Sequence, residues 1–346
     1  MISSIRLQNF RSYVDSSFEF DGGVNIVVGP NASGKTNLLE AVLVLAMGRS
    51  YRAKDAELIR FNAPWSRLDS FFGSHSRSLK LEPEKSYLID EKPFMRLSYA
   101  RTIPIALFEP NHLQLSTRGP EARRDYFDDL LERSQADYRS LTQAYRRTLA
   151  QRNALLKQPK TSAKKQLFAW NIRLSELGGK IAAARHGLID HINQNISATY
   201  SQIAGKKSKV KIEYESQFPA ADYSSKMLRQ LEKAVDADFE RGFTGYGPHR
   251  EDISFMLDGQ SAAAAASRGE NRSLLLALKI YELDLIEAAR GARPVFLLDD
   301  VFSELDGARR LALVDYLKNC QTIITTTDAD AVVAHFATGP NLIAIK

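Results

Sequence analysis

The sequence predicts an α/β protein with a parallel-rich sheet, interrupted by a long antiparallel helical arm. Three observations predict it. The runs "GVNIVVG", "ARPVFLLDD" and "QTIITTTD" are apolar without alternation, as in strands buried on both faces, and helical patterns separate them. The first run enters a glycine-rich loop and then a helix. Between Phe127 and Ile203 the apolar period changes to three-to-four, broken once by "PKTSAKK".

In chain order, "SSIRLQNF" and "SSFEF" read as a strand pair, and "GVNIVVG" as the strand before the loop. "KTNLLEAVLVLAMG" is a helix that is apolar on most faces and closed by Gly48. Residues 50–115 alternate short apolar runs with turns and read as a small mixed β region. Phe127, Leu131, Tyr138, Leu141, Tyr145 and Leu149 then mark one long helix, and Leu167, Trp170, Leu174, Leu177, Ile181, Leu188, Ile192, Ile196 and Ile203 a second. Each would run nearly forty residues, roughly 55 Å at 1.5 Å per residue, and the narrow seam predicts a projecting hairpin. "VKIEYES" restores strand character, "SKMLRQLEKAVDADFERG" is an amphipathic helix, and "YGPHREDISFMLDGQ" is a turn, a strand and a tight Asp-Gly turn. The expected organisation is a head made of residues 1–120 and 240–346, with residues 121–239 inserted as the arm.

Composition narrows the classes. The chain has 346 residues, enough for a sizeable core, and its 44% hydrophobic and 25% charged content is that of a water-soluble globular protein. Cys320 is the only cysteine, which rules out an internal disulfide. No apolar run approaches the roughly 18 residues of a spanning helix, and the N-terminus lacks an apolar leader, so a cytoplasmic protein without a membrane partner is expected. The histidines show no metal-ligand spacing. Net charge is +6, unevenly placed: Arg139, Arg146, Arg147, Arg152, Lys157, Lys160, Lys164 and Lys165 follow one another without an acid. On an arm, such a run predicts sequence-independent contacts to a nucleic-acid backbone.

The chemistry lies in the loop. Gly29, Pro30, Asn31, Ala32, Ser33, Gly34, Lys35, Thr36 and Asn37 satisfy the phosphate-loop pattern after a buried strand and before a helix. Glycines let the backbone wrap phosphates, and the helix N-terminus adds partial positive charge. Lys35 would bridge the β- and γ-phosphates of ATP, and Thr36 would ligate Mg²⁺. "VFLLDD" supplies the partner acids: burial of the strand leaves Asp299 and Asp300 at its C-terminal end, where open α/β sheets bind ligands. Asp299 would hold Mg²⁺, and Asp300 would orient or deprotonate the attacking water.

Further motifs, "NFRSY", "GRSYRAKDAELIRF", "GPEARRDYFD", "GPHRED", "ASRGENRSLLLALK", "LLDDVFSELD" and "ITTTD", occur in this order over nearly the whole chain. Together they resemble the ABC-type ATPases of DNA repair and chromosome structure, and most closely the RecF family of bacterial recombination mediators. The resemblance implies an ABC-type ATPase head that forms a homodimer on ATP and binds duplex and gapped DNA. It also implies that the protein works with RecO and RecR to load RecA at gaps and stalled forks, supports the SOS response, and associates with the nucleoid.

Site residues carried over are the signature Ser267, Arg268, Gly269 and Glu270, whose Ser267 hydroxyl and Gly269 amide would touch the γ-phosphate held by the other subunit. The D-loop is Ser303, Glu304, Leu305 and Asp306, and Thr327 and Asp328 stand at the switch position. Arg11 matches a basic residue near the phosphates. Arg268 and Glu270 depart from the glycine and glutamine of transporters, and an acid beside a γ-phosphate must point away or pair with a base such as Arg272. Asp300 stands where transporters carry glutamate. Its shorter reach predicts slow hydrolysis, and the resemblance implies a DNA-stimulated ATPase that acts as a switch. Two other readings are an ATPase that energises a transporter, which the arm and the missing switch histidine disfavour, and a head that regulates a partner nuclease.

Overall fold

A computed structural model describes residues 1–82, 84–336 and 339–345. Strands β1 (Ile2–Phe10), β2 (Tyr13–Glu19) and β3 (Val24–Val28) precede helices α1 (Lys35–Met47) and α2 (Asp55–Leu58). Strands β4 (Ser66–Phe72), β5 (His75–Leu81), β6 (Lys85–Ile89), β7 (Lys92–Phe94) and β8 (Ile105–Phe108) follow. Next come helices α3 (Pro120–Ser134), α4 (Tyr138–Leu155) and α5 (Lys160–Ala204), then β9 (Val210–Glu215), α6 (Tyr223–Lys233) and α7 (Val235–Arg241). The chain continues through β10 (Asp252–Leu257), β11 (Gln260–Ser261), α8 (Ala262–Ala265) and α9 (Arg268–Arg290). It ends with β12 (Val295–Asp299), α10 (Gly307–Leu317), β13 (Thr322–Thr326), α11 (Ala329–Val333) and β14 (Asn341–Ala344).

Two compact units result. The first comprises Met1–Leu113, Gln202–Ala204 and Leu275–Lys346, and the second comprises Gln114–Ser201 and Gly205–Leu274. The expected boundary near residue 120 lies close to the start of the second unit. Its end lies beyond the expected residue 239, so the signature segment belongs to the second unit.

The first unit holds two sheets. Five strands in the order β14-β3-β13-β12-β8 are parallel throughout, as their unbroken apolar runs predict. The other sheet, β2-β1-β4-β5-β6-β7, is antiparallel at every pairing. The expected mixed β region therefore separates: residues 66–94 extend the N-terminal hairpin, and "IALF" of β8 joins the parallel sheet. Helix α1 packs on strands of both sheets. It is buried on nearly every face, which explains a helix with so little amphipathicity. Gly48 closes it in the left-handed conformation, its N–H donating to the Val44 carbonyl at 2.8 Å.

The second unit is larger than a hairpin. The first expected helix is two, α3 and α4, because Gln135 is extended (φ −127°, ψ 122°) and ends α3. The corner is held by Tyr138, whose hydroxyl donates to Asp128 at 2.6 Å, and by Arg185, which reaches both Asp128 oxygens at 2.9 Å. Helix α5 has 45 residues and is unbroken, roughly 67 Å at 1.5 Å per residue. It is not a bare arm. Leu155, Leu156, Ala163 and Leu167 bury a small core with Trp170, Val235 and Phe239. Asn193 exchanges two hydrogen bonds of 2.8 Å with the backbone of Ile212 on β9.

Candidate nucleotide-binding site

The site lies in the first unit, at the C-terminal ends of three neighbouring parallel strands. Strand β3 leads into the loop from Gly29, and Gly34 opens α1 at φ 105°, where a Cβ would be strained and would crowd Tyr13 Oη and Ser12 Oγ. Tyr13 Oη donates to the Gly34 carbonyl at 3.1 Å, and Asn37 Nδ2 to Ser12 Oγ at 2.9 Å. The "NFRSY" hairpin turn therefore supports the loop from below. Lys35 Nζ donates to the carbonyls of Gly29 (2.7 Å) and Pro30 (2.8 Å), and the buried Ser33 Oγ has no hydrogen-bond partner. A buried ammonium on backbone carbonyls and an orphaned hydroxyl in one turn suit an anionic guest with acceptor oxygens.

Strand β12 brings the acids. Its parallel register with β13 sets Asp299 opposite Thr325, and Thr325 Oγ1 donates to Asp299 Oδ1 at 2.8 Å. Thr36 Oγ1 also donates to Asp299 Oδ1, at 3.0 Å. A hydroxyl and a carboxylate side by side are hard oxygen donors of the kind Mg²⁺ prefers, so these residues fit that ion. Asp300 has φ 53°, and its N–H donates to Thr325 Oγ1 at 3.0 Å. Burial, and then the neighbouring Asp299, raise its carboxyl above the ordinary aspartate value and make it a better proton acceptor. Thr325 is a site residue that the sequence motifs do not single out. The polar end of "QTIITTTD" is the signal that points to it.

Arg11 is engaged by an acid of α1. Its Nε and Nη2 grip Glu40 at 2.8 and 2.9 Å, and its Nη1 donates to the Glu57 carbonyl at 2.9 Å. Arg52 Nη2 joins it on Glu40 at 2.9 Å and also donates to Asn37 at 2.9 Å. Burial acts strongly to raise the Glu40 carboxyl, yet the bonds from Arg11, Arg52 and Ser50 prevail and hold it at about 2. A lone acid in the apolar α1 is the sequence signal for this cluster, since a buried carboxylate requires partners.

In the D-loop, Leu305 is buried, and Ser303 Oγ donates to the Asp300 carbonyl at 2.7 Å. Asp306 caps α10 by accepting from the Arg309 N–H at 3.1 Å. At the switch position, Asp328 caps α11 by accepting from Ala331 N–H at 3.1 Å, and Thr327 is exposed just before it.

The signature lies in the second unit and answers the Glu270 question. Ser267 is the N-cap of α9 and Glu270 its third residue. Ser267 N–H and Oγ both donate to Glu270 at 2.9 Å, and Glu270 N–H returns to Ser267 Oγ at 3.2 Å. This is the reciprocal capping box that Ser-x-x-Glu allows. Lys206 is a further partner of Glu270, at 3.4 Å.

The basic run divides. Arg139, Arg146, Arg147, Lys157, Lys160, Lys164 and Lys165 are exposed. Arg152 is fully buried, bonded to Asn171 (2.7 Å), Asp238 (2.8 Å) and Thr244 (2.7 Å), which corrects its assignment to a nucleic-acid surface. It faces inward because α4 is covered along that side. The "GPHRED" and "EARRDYF" motifs make internal contacts: Arg123 pairs with Asp252 at 2.6 Å, and His249 bonds Tyr145 at 2.7 Å.

The AAA domain family matches residues 4–288. A "DNA replication and repair protein RecF" of Lachnoclostridium phytofermentans is 33% identical over 344 residues, covering 96% of this chain and 94% of that protein. A protein of the same description from Geobacter sulfurreducens is 34% identical over 345 residues with the same coverage. The chain belongs to the RecF family. Two solved RecF structures agree. One, described as the recombination mediator RecF-ATPrS in the RecFOR pathway, has a TM-score of 0.89 at 27% identity and covers 100% of this chain and 96% of that one. The RecF-ATP structure has a TM-score of 0.86 at 29% identity, covering 94% and 92%. An Smc head bound to the C-winged helix domain of ScpA has a TM-score of 0.53 at 17% identity, covering 96% and 91%, and shares the fold. The ATPase-head architecture expected from sequence is thus that of RecF and SMC heads. Among the described residues no helix is long and apolar enough to cross a membrane.

Proposed function

We propose that this RecF-family chain binds ATP at the Lys35 loop and closes as a homodimer on DNA, with slow hydrolysis reopening it. The observation that carries the reading is the joining of Thr36 to Asp299 above the loop, with Asp300 next in the chain. The loop's amides and Lys35 would bind the triphosphate. Thr36 and Asp299 would hold Mg²⁺, which when bound neutralises phosphate charge. Asp300 would accept a proton from the attacking water. Ser267 and Gly269 would meet the γ-phosphate on the partner copy's loop. The exposed basic residues of α4 and α5 would meet the DNA backbone without reading sequence.

Two structural relatives are recombination mediators of the RecFOR pathway, which supports partnership with RecO and RecR; the proposed outcome of that partnership is RecA loading at gaps. The proposed setting is the cytoplasm at the nucleoid, in the SOS response. The test is sedimentation with ATP or ADP, with and without gapped duplex. Lys35→Ala is expected to abolish ATP-dependent dimers. Ser267→Arg is expected to keep ATP binding and lose the dimer; a normal ATP-dependent dimer from that variant would overturn the mechanism.

A further inference from the structure

The four lysines of the run "GKKSKVK" at residues 205–211 have no role in the chemistry above. The run turns the chain from α5 into β9. Gly205 closes α5 in the left-handed conformation at φ 64°, and the turn is held from two sides. Ser208 N–H donates to Ser201 Oγ at 3.3 Å, Lys209 N–H to Asp258 Oδ1 at 2.7 Å, and Asp258 N–H returns to the Lys209 carbonyl at 2.8 Å. Lys206, Lys207, Lys209 and Lys211 are all exposed. Lys211 pairs along its own strand with Glu213 at 2.6 Å. Lys206 instead reaches 64 positions ahead, to Glu270 in the first turn of α9 and within the same unit.

That contact bears on a conflict within the signature. Glu270 accepts from the Ser267 N–H and hydroxyl, and the bonds from that N–H and then the hydroxyl hold its carboxyl below the ordinary glutamate value. Its charge is therefore present at neutral pH. In the proposed dimer the same hydroxyl must turn to a γ-phosphate. The carboxylate then lacks a donor and lies within one helical turn, ~5 Å, of a polyanion. Like charges that close repel unless a cation neutralises one of them. We propose that Lys206 is a positioning residue of the signature: it neutralises Glu270 and takes over its carboxylate when the Ser267 hydroxyl turns to the partner copy's phosphate. The inference rests on the trans contact of Ser267 proposed above. A lysine suits the exchange, since its ammonium is a point charge on a flexible stem that can follow the carboxylate. The held turn keeps the root of that stem in place.

The test is sedimentation with ATP at about 0.15 M salt, which screens charges further apart than about 8 Å. The parent, Lys206→Gln, Glu270→Gln and the double variant form a cycle. Lys206→Gln is expected to raise the protein concentration at half-dimerisation about fivefold, the upper range for an exposed ion pair, with ATP binding by the monomer unchanged. In the Glu270→Gln background the same change is expected to shift it less than about twofold, because no carboxylate is left to hold. Lys206→Arg is expected to keep the parent dimer. Lys206 is exposed and glutamine preserves the Glu270 cap, so neither change threatens the fold. A parent-like dimer from Lys206→Gln, or an equal loss with and without Glu270, would overturn the role. Ser267→Arg reports on the underlying reading: if it dimerises like the parent, the trans contact fails, whereas a lost dimer there with a silent Lys206→Gln sinks this inference alone.

Discussion

Glu40 shows how one residue can organise a site without entering its chemistry. Its side chain is fully buried, and two guanidinium groups converge on it, one from the β1–β2 corner and one from the segment after α1. Removing the carboxylate strands Arg11 and Arg52 together, so Glu40→Ala is expected to destabilise by about 3–5 kcal/mol in urea unfolding. The sign with pH follows from its lowered value. The stabilisation is complete above the ordinary glutamate value of 4.5 and is lost as pH falls towards about 2, and the variant's stability should be flatter across that window. Glu270 makes a different prediction. Its carboxylate holds the Ser267 N–H and hydroxyl that the proposed trans contact requires. Glu270→Gln keeps the cap and removes the charge. It is expected to shift the ATP-dependent dimer to lower protein concentration by sedimentation, and a shift the other way would assign Glu270 a supporting role. Ser-x-x-Glu is legible in the sequence as a cap, whereas the convergence on Glu40 from two separate segments is not.

Helix α5 illustrates the element scale. Its apolar spacing is readable: Leu167, Leu174, Leu177, Ile181, Leu188, Ile192, Ile196 and Ile203 are buried as that spacing implies, and Trp170 is half-buried. What covers them is not readable, because a three-to-four stripe is the same whether it faces one helix or several elements. The pair Gly178 and Gly179 mark a close approach: a Cβ on Gly178 would crowd Met227, and one on Gly179 would collide with the Ser224 hydroxyl on α6. Gly179→Val is expected to lose about 1–3 kcal/mol through overpacking, measured by thermal unfolding, while Gly187→Ala on the same helix, where a Cβ meets open space, should be neutral or slightly stabilising. The break at Gln135 likewise escapes the periodicity, since Tyr138 follows Leu131 at a heptad interval and the stripe resumes in phase.

For the whole molecule, the consequence of charge depends on which basic residues reach water. Reversing Arg147 and Lys164, both exposed, is expected to weaken duplex binding for all sequences alike. It should also reduce the salt slope by about one for each phosphate that is no longer neutralised. Arg152→Ala, from the same run, is instead expected to lower the unfolding temperature, because it removes one of the two arginines paired with the buried Asp238 and leaves Arg241 alone to compensate it. An unchanged salt slope in the double reversal would remove this surface from the DNA path.

Local chemistry is written in the sequence by itself. A phosphate loop needs its glycines, lysine and threonine in one order, and a strand ending in acids needs an apolar run before it. "GPNASGKTN" and "VFLLDD" therefore declare both halves of the site. Only the tertiary structure decided what depends on residues far apart in the chain. It set Asp299 against Thr36 across 263 positions, separated the antiparallel sheet from the parallel one, buried Arg152, and gave Glu40 two arginines. The physical reason is the range of the interactions. Backbone conformation and periodicity are fixed by neighbours, while burial and charge pairing depend on which distant segments meet.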